Sequence, residues 1–128
     1  MVTGGTDGIG LDLCDQLAEQ GFNICIISRN KEKIDRRIAE LKLRHPLVKY
    51  TGVQADLSAM LTVAPYKELV EKELTGMKIG VVCLNAGCWV DGPVDLQSDA
   101  DFERTFALNG LGVVYFAKAL LPHLLGQS

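Results

Sequence analysis

Residues 1–14, MVTGGTDGIGLDLC, place four glycines between an apolar start and a helical pattern. In a parallel α/β sheet, a loop of this kind joins the first strand to the first helix, and ligands bind at that end of the sheet. Glycine allows a phosphate to approach the backbone closely, and a helix N-terminus offers N–H groups and partial positive charge. The residues predicted to bind a pyrophosphate are Thr3, Gly4, Gly5, Thr6, Asp7, Gly8, Ile9 and Gly10.

The spacing within this loop is G-x-x-x-G-x-G, from Gly4 to Gly10. It differs from the G-x-G-x-x-G of many dehydrogenases. It also differs from a P-loop, because Leu11 and Asp12 stand where Lys and Ser or Thr are needed. A glycine-rich turn without a ligand is the alternative that the loop alone leaves open.

Apolar runs and helical patterns alternate along the rest of the chain. The runs Phe22–Ser28, Val48–Val53 and Ile79–Leu84 predict strands, and Met1–Thr3 predicts the end of a first strand. Apolar residues at helical spacing lie between and after them: Ile9, Leu13 and Leu17; Ile34, Ile38 and Leu41; Leu69, Val70 and Leu74; and Phe102, Phe106, Val113 and Leu120. This order predicts a doubly wound parallel α/β sheet with helices on both faces.

Composition and charge exclude several classes of protein. The chain has 128 residues, enough for one domain, and its net charge of −3 argues against binding to nucleic acid. Four cysteines form no CxxC pair, so no metal site is predicted, and they favour a reducing compartment. The longest apolar stretch, Leu111–Leu125, is interrupted by Lys118 and Pro122, and no membrane span is predicted there.

The end of the second predicted strand indicates which dinucleotide the loop would hold. An acidic residue at this position binds the ribose 2′-hydroxyl of NAD. Ser28 and Arg29 stand there instead, and a hydroxyl with a guanidinium suits a 2′-phosphate. These two residues favour NADP(H) over NAD(H), with a surface Arg near a helix start as the alternative.

Four motifs in order make the sequence resemble the short-chain dehydrogenase/reductase family. They are Thr3-Gly4-x-x-x-Gly8-Ile9-Gly10, Asp56-Leu57, Asn85-Ala86-Gly87 and Asn109. The stretches TGGTDGIG, IISRNKEKI and YKELVEKELTGMKIGVV are most similar to the branch of very-long-chain 3-oxoacyl-CoA reductases and microsomal 17β-hydroxysteroid dehydrogenases. The resemblance implies a Rossmann-like fold and NADPH-dependent reduction of a ketone, either a fatty acyl-CoA or a steroid. It also implies the cytosolic face of the endoplasmic reticulum membrane, with a cytoplasmic location as the alternative.

The resemblance assigns a role to each motif. Gly4, Gly8 and Gly10 would shape the phosphate loop, and Ser28 with Arg29 would hold the 2′-phosphate. Asp56 and the Leu57 backbone would bind adenine, while Asn85, Ala86 and Gly87 would line the cofactor's ribose. Asn109 would support catalysis by helping to hold a water in the proton relay, and its place on the apolar stripe predicts a buried side chain that faces the sheet. Three alternatives remain open: a turn cap for Asp56, an ordinary turn at Asn85-Ala86-Gly87 and a packing role for Asn109. One residue departs from the family, since Leu84 stands where a small polar residue is usual.

The family's catalytic pair, a Tyr with a Lys four residues later, is missing from these residues. Tyr50, Tyr66 and Tyr115 are followed at that distance by Gln, Val and Ala. We therefore expect residues 1–128 to be the NADP-binding part of a reductase whose sheet continues on both sides and whose Ser-Tyr-Lys part is absent here. A non-catalytic NADP(H)-binding short form that acts through a partner, and an unstable truncated product, are the alternatives. A homodimer through the predicted Asp99–Leu125 helix is also expected.

Overall fold

The computed structural model describes residues 1–127, which form two compact units. The first unit contains residues 1–56 and 80–86, and the second contains residues 57–79 and 87–127. The strands are β1 (Val2–Thr3), β2 (Ile24–Ser28) and β3 (Tyr50–Gln54). The α-helices are α1 (Gly8–Glu19), α2 (Lys31–Arg44), α3 (Val63–Leu69), α4 (Asp99–Phe106) and α5 (Gly112–Leu125).

The first unit is built on a parallel sheet in the order β1-β2-β3. Ile26 of β2 is in register with Val2 of β1 on one side and Gly52 of β3 on the other. Because β2 is flanked on both sides, its first four residues are all buried, as expected for a continuous apolar strand of a parallel sheet. The predicted strands Phe22–Ser28 and Val48–Val53 are thus confirmed, with shifts of one or two residues at their ends.

The predicted strand Ile79–Leu84 forms only one β-bridge, in which Cys83 pairs in parallel with Val2. The Cys83 N–H donates to the Met1 carbonyl at 2.9 Å, and its own carbonyl accepts from the Thr3 N–H at 3.0 Å. The segment thus lies beside β1, on the side away from β2. The pairing is short because β1 itself contributes only two residues.

Helix α1 begins at Gly8, within the glycine loop, and is followed by Gly21, whose φ is +83°. Its buried face carries Gly10, Cys14 and Ala18. The predicted stripe of Ile9, Leu13 and Leu17 is therefore displaced by one residue, and Ile9 is 75% exposed. The small residues face inward because a bulky chain would not fit: a Cβ on Gly10 would lie 2.3 Å from the Gly4 carbonyl oxygen.

Helix α2 follows its predicted stripe, since Ile34 and Leu41 are fully buried. The Asn30 side chain caps the helix by accepting a hydrogen bond from the Lys33 N–H at 2.8 Å. Gly52 of β3 allows the close packing, because a Cβ there would lie 2.4 Å from Cγ2 of Ile34. The core of this unit consists of Val2, Cys14, Ala18, Ile24, Ile26, Ile34 and Leu41.

The second unit is helical. A 3-10 turn, Leu57–Ala59, precedes α3, and α3 has Pro65 in its first turn and continues into a π-helical turn, Val70–Leu74. Helix α3 packs on α5. The Tyr66 ring lies 5.3 Å from the Phe116 ring, and both side chains are buried.

Helices α4 and α5 form one long helix, interrupted by the π-helical turn Ala107–Leu111. Ser98 caps it, with its hydroxyl accepting from the Asp101 N–H at 3.2 Å. The predicted stripe holds at Leu120, which is buried, but Phe106 is 66% exposed. A π-turn adds a residue to the helical repeat, so residues before and after it do not share one face.

The helix Asp99–Leu125 is also long and apolar enough to cross a membrane, judged by length and composition only. A core helix of a soluble protein passes the same test, and 28% of the most apolar window is buried within this chain.

Candidate functional site

The glycine loop of the first unit is held in a form that needs glycine. Gly4 and Gly8 have φ angles of +67° and +45°, in the region that side chains disfavour. A Cβ on Gly4 would lie 3.0 Å from the Cα of Ala86, and one on Gly10 would lie 2.5 Å from Nδ2 of Asn85. A Cβ on Gly8 would contact nothing within 4 Å, so the backbone is open on that side.

Thr3 joins this loop to the Asn85-Ala86 motif. The Asn85 Nδ2 donates to the Thr3 carbonyl at 3.1 Å, and the Ala86 N–H donates to the Thr3 Oγ1 at 3.0 Å. Thr3 is buried, so these hydrogen bonds are shielded from water. Asn85 thus positions the loop, and the two predicted motifs belong to one hydrogen-bonded structure in the first unit.

Thr6 and Ser28 connect the loop to the end of β2. Their hydroxyl oxygens lie 3.1 Å apart, and Thr6 is buried. Arg29 follows, with an exposed side chain and a carbonyl that accepts a hydrogen bond from the Gln54 Nε2 at 3.1 Å. An open depression of about 570 Å³ lies here, lined by Arg29, Asn30, Lys31, Glu32, Gln54 and Asp56.

Asp56 reaches this depression because the chain continues from β3 in parallel with β2. The Ala55 N–H donates to the Ser28 carbonyl at 2.9 Å, which fixes the residue before Asp56 beside the end of β2. The depression is therefore lined by two basic residues, Arg29 and Lys31, and by two acidic residues, Glu32 and Asp56. The Lys31 ammonium also forms an ion pair with Asp35 at 2.5 Å. Such a lining has donors for a phosphate and acceptors for an amino group.

Two residues of α2 contact the loop and were not found from the sequence. Lys33 forms an ion pair with the Asp7 carboxylate. Arg37 donates from Nε to the Thr6 carbonyl at 3.1 Å and from Nη1 to Glu40 at 2.7 Å. The hydrogen bond from Lys33, followed by its charge, holds the pKa of Asp7 below its usual value of 3.8.

Cys14, one of three cysteines in this unit, is not a nucleophile. Burial raises the pKa of the Cys14 thiol from 9.0 to about 12, and Cys14 is fully buried. Its thiol therefore stays protonated at neutral pH. Among residues 1–127, no group of three or more His, Cys, Asp or Glu side chains is placed to hold a metal ion.

In the second unit, Asn109 lies in the π-helical turn and binds the backbone of Cys88. Its Oδ1 accepts from the Cys88 N–H at 2.9 Å, and its Nδ2 donates to the Cys88 carbonyl at 2.6 Å. The prediction of a buried Asn109 is wrong, because the residue is exposed. The π-turn explains the error, since it moves Asn109 off the stripe that contains Leu120. Asn109 thus fixes Cys88, the residue after Gly87. Gly87 is exposed.

Leu57 is buried in the second unit, and its carbonyl accepts a hydrogen bond from the Tyr66 hydroxyl at 3.2 Å. The first unit thus brings together the predicted residues of the glycine loop with Ser28 and with Asn85-Ala86. It also holds Arg29 and Asp56 on one depression. Leu57, Gly87 and Asn109 belong to the second unit.

The whole chain, residues 1–128, matches the family model of the short chain dehydrogenases, and the chain belongs to that family. A very-long-chain 3-oxoacyl-CoA reductase of Mycosarcoma maydis is 34% identical over 130 residues, which cover 100% of this chain and 37% of that protein. A reductase of the same name from Bos taurus is 28% identical over 132 residues, covering 100% of this chain and 41% of that protein. These relatives confirm the predicted branch.

The solved structures include a short-chain dehydrogenase from Sphingobium yanoikuyae in complex with NADPH. It matches with a TM-score of 0.82 at 26% identity, covering 98% of this chain and 48% of that one. The likeness confirms the predicted Rossmann-like parallel α/β fold. The chain spans 37% and 41% of the two curated relatives' lengths and about half of the solved structure.

Proposed function

We propose that this chain is the NADP(H)-binding part of a short-chain ketone reductase. The observation that carries the proposal is the exposed Arg29 beside Ser28, on an open polar depression next to the glycine loop. A guanidinium forms strong, charge-assisted hydrogen bonds to phosphate. The NADPH complex of the Sphingobium yanoikuyae relative supports the same cofactor.

The residues of the first unit fit a dinucleotide phosphate. Gly8 leaves open backbone at the start of α1, where the helix N-terminus favours an anion. Ser28 and Arg29 would hold the 2′-phosphate, and Asp56 would accept from the adenine amino group. Asn85 would keep the loop in place through its hydrogen bond to Thr3. Bound NADPH would supply the hydride for the reduction.

Three further roles are proposed for residues of the second unit, each from the family resemblance. The Leu57 backbone would contact the cofactor's adenine, and Gly87 would contact its ribose. Asn109 would act as a positioning residue through its two hydrogen bonds to Cys88. A water held by Asn109 would then need to bind alongside these two hydrogen bonds.

Charge reversal at Arg29 tests the cofactor. Arg29→Glu is expected to raise the Kd of NADPH about tenfold or more, because a charge-assisted hydrogen bond is replaced by repulsion. The Kd of NADH should change much less, and titration of cofactor fluorescence measures both. Lys42→Glu, an equal charge reversal at the exposed end of α2, is the control. Equal losses for NADPH and NADH would reject the role of Arg29.

The proposed substrate of the whole protein is a 3-oxoacyl-CoA, in line with the name of the relative from Mycosarcoma maydis. A steroid ketone is the second candidate, from the same branch. Oxidation of NADPH by the protein in the presence of each substrate distinguishes them. The proposed location is the cytosolic face of the endoplasmic reticulum membrane, which fractionation of cells that express the protein would test.

A non-catalytic role is the second candidate function. It would be a short form that binds NADP(H) and acts through a partner. In that case the chain would bind NADPH and would not oxidise it with any ketone.

A homodimer is also proposed, through the Asp99–Leu125 helix. It would cover exposed apolar side chains at Phe106, Val114, Leu121 and Leu125. Sedimentation velocity gives the test, since a monomer at micromolar concentration would contradict it.

A further inference from the structure

Asp7 places a carboxylate in the loop that is proposed to bind phosphate. It stands at the N-cap position of α1 and carries a negative charge. Asp is among the best N-cap residues, because its carboxylate accepts hydrogen bonds from the first N–H groups of the helix. Those N–H groups are also the ones that a phosphate needs. A capping Asp7 would therefore compete with the ligand from within the chain.

Asp7 does not cap α1 in this structure. Its side chain makes no capping hydrogen bond, although its backbone is extended as in a normal N-cap residue. The carboxylate interacts with the helix only through the Gly8 N–H, which lowers the pKa of Asp7 less than Lys33 does. The carboxylate pairs instead with the ammonium of Lys33, which comes from the first turn of α2. Since Lys33 is on another helix, the direction of the Asp7 side chain is set by packing between α2 and the loop.

The neighbouring contact shows that α2 holds this part of the loop at two points. Arg37, one turn further along α2, donates to the Thr6 carbonyl at 3.1 Å and is only 22% exposed. Thr6 is fixed a second time by Ser28, at 3.1 Å between their hydroxyl oxygens. The loop backbone thus has supports that do not depend on Lys33. Loss of Lys33 would release the Asp7 side chain while Thr6 stays in place.

We propose that Lys33 is a positioning residue that keeps the Asp7 carboxylate from capping α1, so that the capping N–H groups of this helix stay available for the cofactor's phosphates. The proposal rests on the proposed binding of NADP(H). The role of Lys33 is indirect: its ion pair with Asp7 strengthens binding of the pyrophosphate, which NADPH and NADH have in common. Lys33 does not bind the phosphate itself in this proposal.

The test is a double-mutant cycle on the full chain, with titration of NADPH and NADH fluorescence. Lys33→Gln should weaken both dinucleotides about fivefold, the effect of a capping interaction of ordinary strength. Gln has a helix propensity close to that of Lys, so α2 should keep its stability. Asp7→Ala supplies the background of the cycle, in which adding Lys33→Gln should change the Kd of neither dinucleotide. The double variant Asp7→Ala/Lys33→Gln should recover the affinity that Lys33→Gln loses.

Other outcomes overturn the proposal in distinguishable ways. If Lys33 only ties α2 to the loop, Asp7→Ala weakens binding and the double variant does not recover. If Lys33 binds the 2′-phosphate directly, Lys33→Gln weakens NADPH alone, again without recovery. A loss equal to that of the control Lys42→Gln, in the last turn of α2, also rejects it. A wild-type chain that binds neither dinucleotide rejects the proposed function as well.

Discussion

The glycine loop and the long helix differ in how their residues are held. In the loop, Thr3 is held by a hydrogen bond to the Ala86 N–H, and Gly10 lies so close to Gly4 that a Cβ would not fit. In the long helix, some apolar side chains are buried and others face solvent. Phe116 is buried, whereas Phe106, ten residues earlier, is 66% exposed. The loop is therefore sensitive to single atoms, whereas the helix is sensitive to which face a residue occupies.

This difference explains why one region was easier to predict than the other. In a loop motif, each glycine indicates the local backbone conformation, because only glycine fits where a Cβ would meet backbone atoms. In a helix, the buried face is predicted from the regular spacing of apolar residues. One irregular turn therefore changes which face every later residue occupies. The π-helical turn Ala107–Leu111 does this, and nothing in the sequence around Asn109 marks it.

The largest expected effect is on the buried face of the long helix. Phe116→Ala should lower the free energy of unfolding by about 3–5 kcal/mol, because it leaves a cavity beside Tyr66. Urea denaturation, followed by circular dichroism, measures the change.

Phe106→Ala is the matched control on the same helix, before the π-turn. It should change the free energy of unfolding by less than about 0.5 kcal/mol, since most of its ring already contacts solvent in the chain. Similar losses for Phe106→Ala and Phe116→Ala would contradict the shift of face at the π-turn. A large effect of Phe106→Ala on sedimentation alone would instead support the proposed dimer.

The next effect concerns the loop. Gly10→Ala should destabilise the chain by about 1–3 kcal/mol and abolish binding of NADPH, because the added Cβ would meet the Gly4 carbonyl oxygen and Nδ2 of Asn85. Urea denaturation and fluorescence titration measure the two changes.

Gly80→Ala serves as the control, because a Cβ there would contact nothing within 4 Å. Its stability and its affinity for NADPH should stay close to those of the wild type. If Gly10→Ala binds NADPH as well as Gly80→Ala does, the close approach at the start of α1 is not needed for the ligand.

The sequence predicted the parallel sheet and the order of its elements, because strands and helices have different periods in apolar residues. It also placed the glycine loop, Ser28, Arg29 and Asp56, since the ends of neighbouring parallel strands meet at one edge. It did not find Lys33 and Arg37, whose contacts with Asp7 and Thr6 join residues more than 20 positions apart. A charged residue on a helix surface gives no sign of a distant partner.

The displaced face of α1 has a different cause. Ile9, Leu13 and Leu17 gave the right period, so the helix itself was correct, but the stripe is one residue away from the buried face. The close approach of Gly10 to Gly4 decides the rotation of the helix, and it favours small residues inward. The spacing of apolar residues therefore predicts that a helix forms. The close approach of Gly10 to Gly4 decides which side of the helix faces the sheet.

The smallest expected effect is on the acid dependence of stability. The ion pair with Lys33 lowers the pKa of Asp7 below 3.8 in the folded chain. A carboxyl with a lowered folded pKa stabilises the fold above its unfolded pKa, and this contribution is lost as the pH falls through the folded value. Asp7→Asn removes the contribution, so the difference in unfolding free energy between wild type and Asp7→Asn should shrink as the pH falls from 6 to below 3.8. Urea denaturation at a series of pH values measures it, and a difference that grows on acidification would show that the Asp7 carboxylate is not stabilised by Lys33.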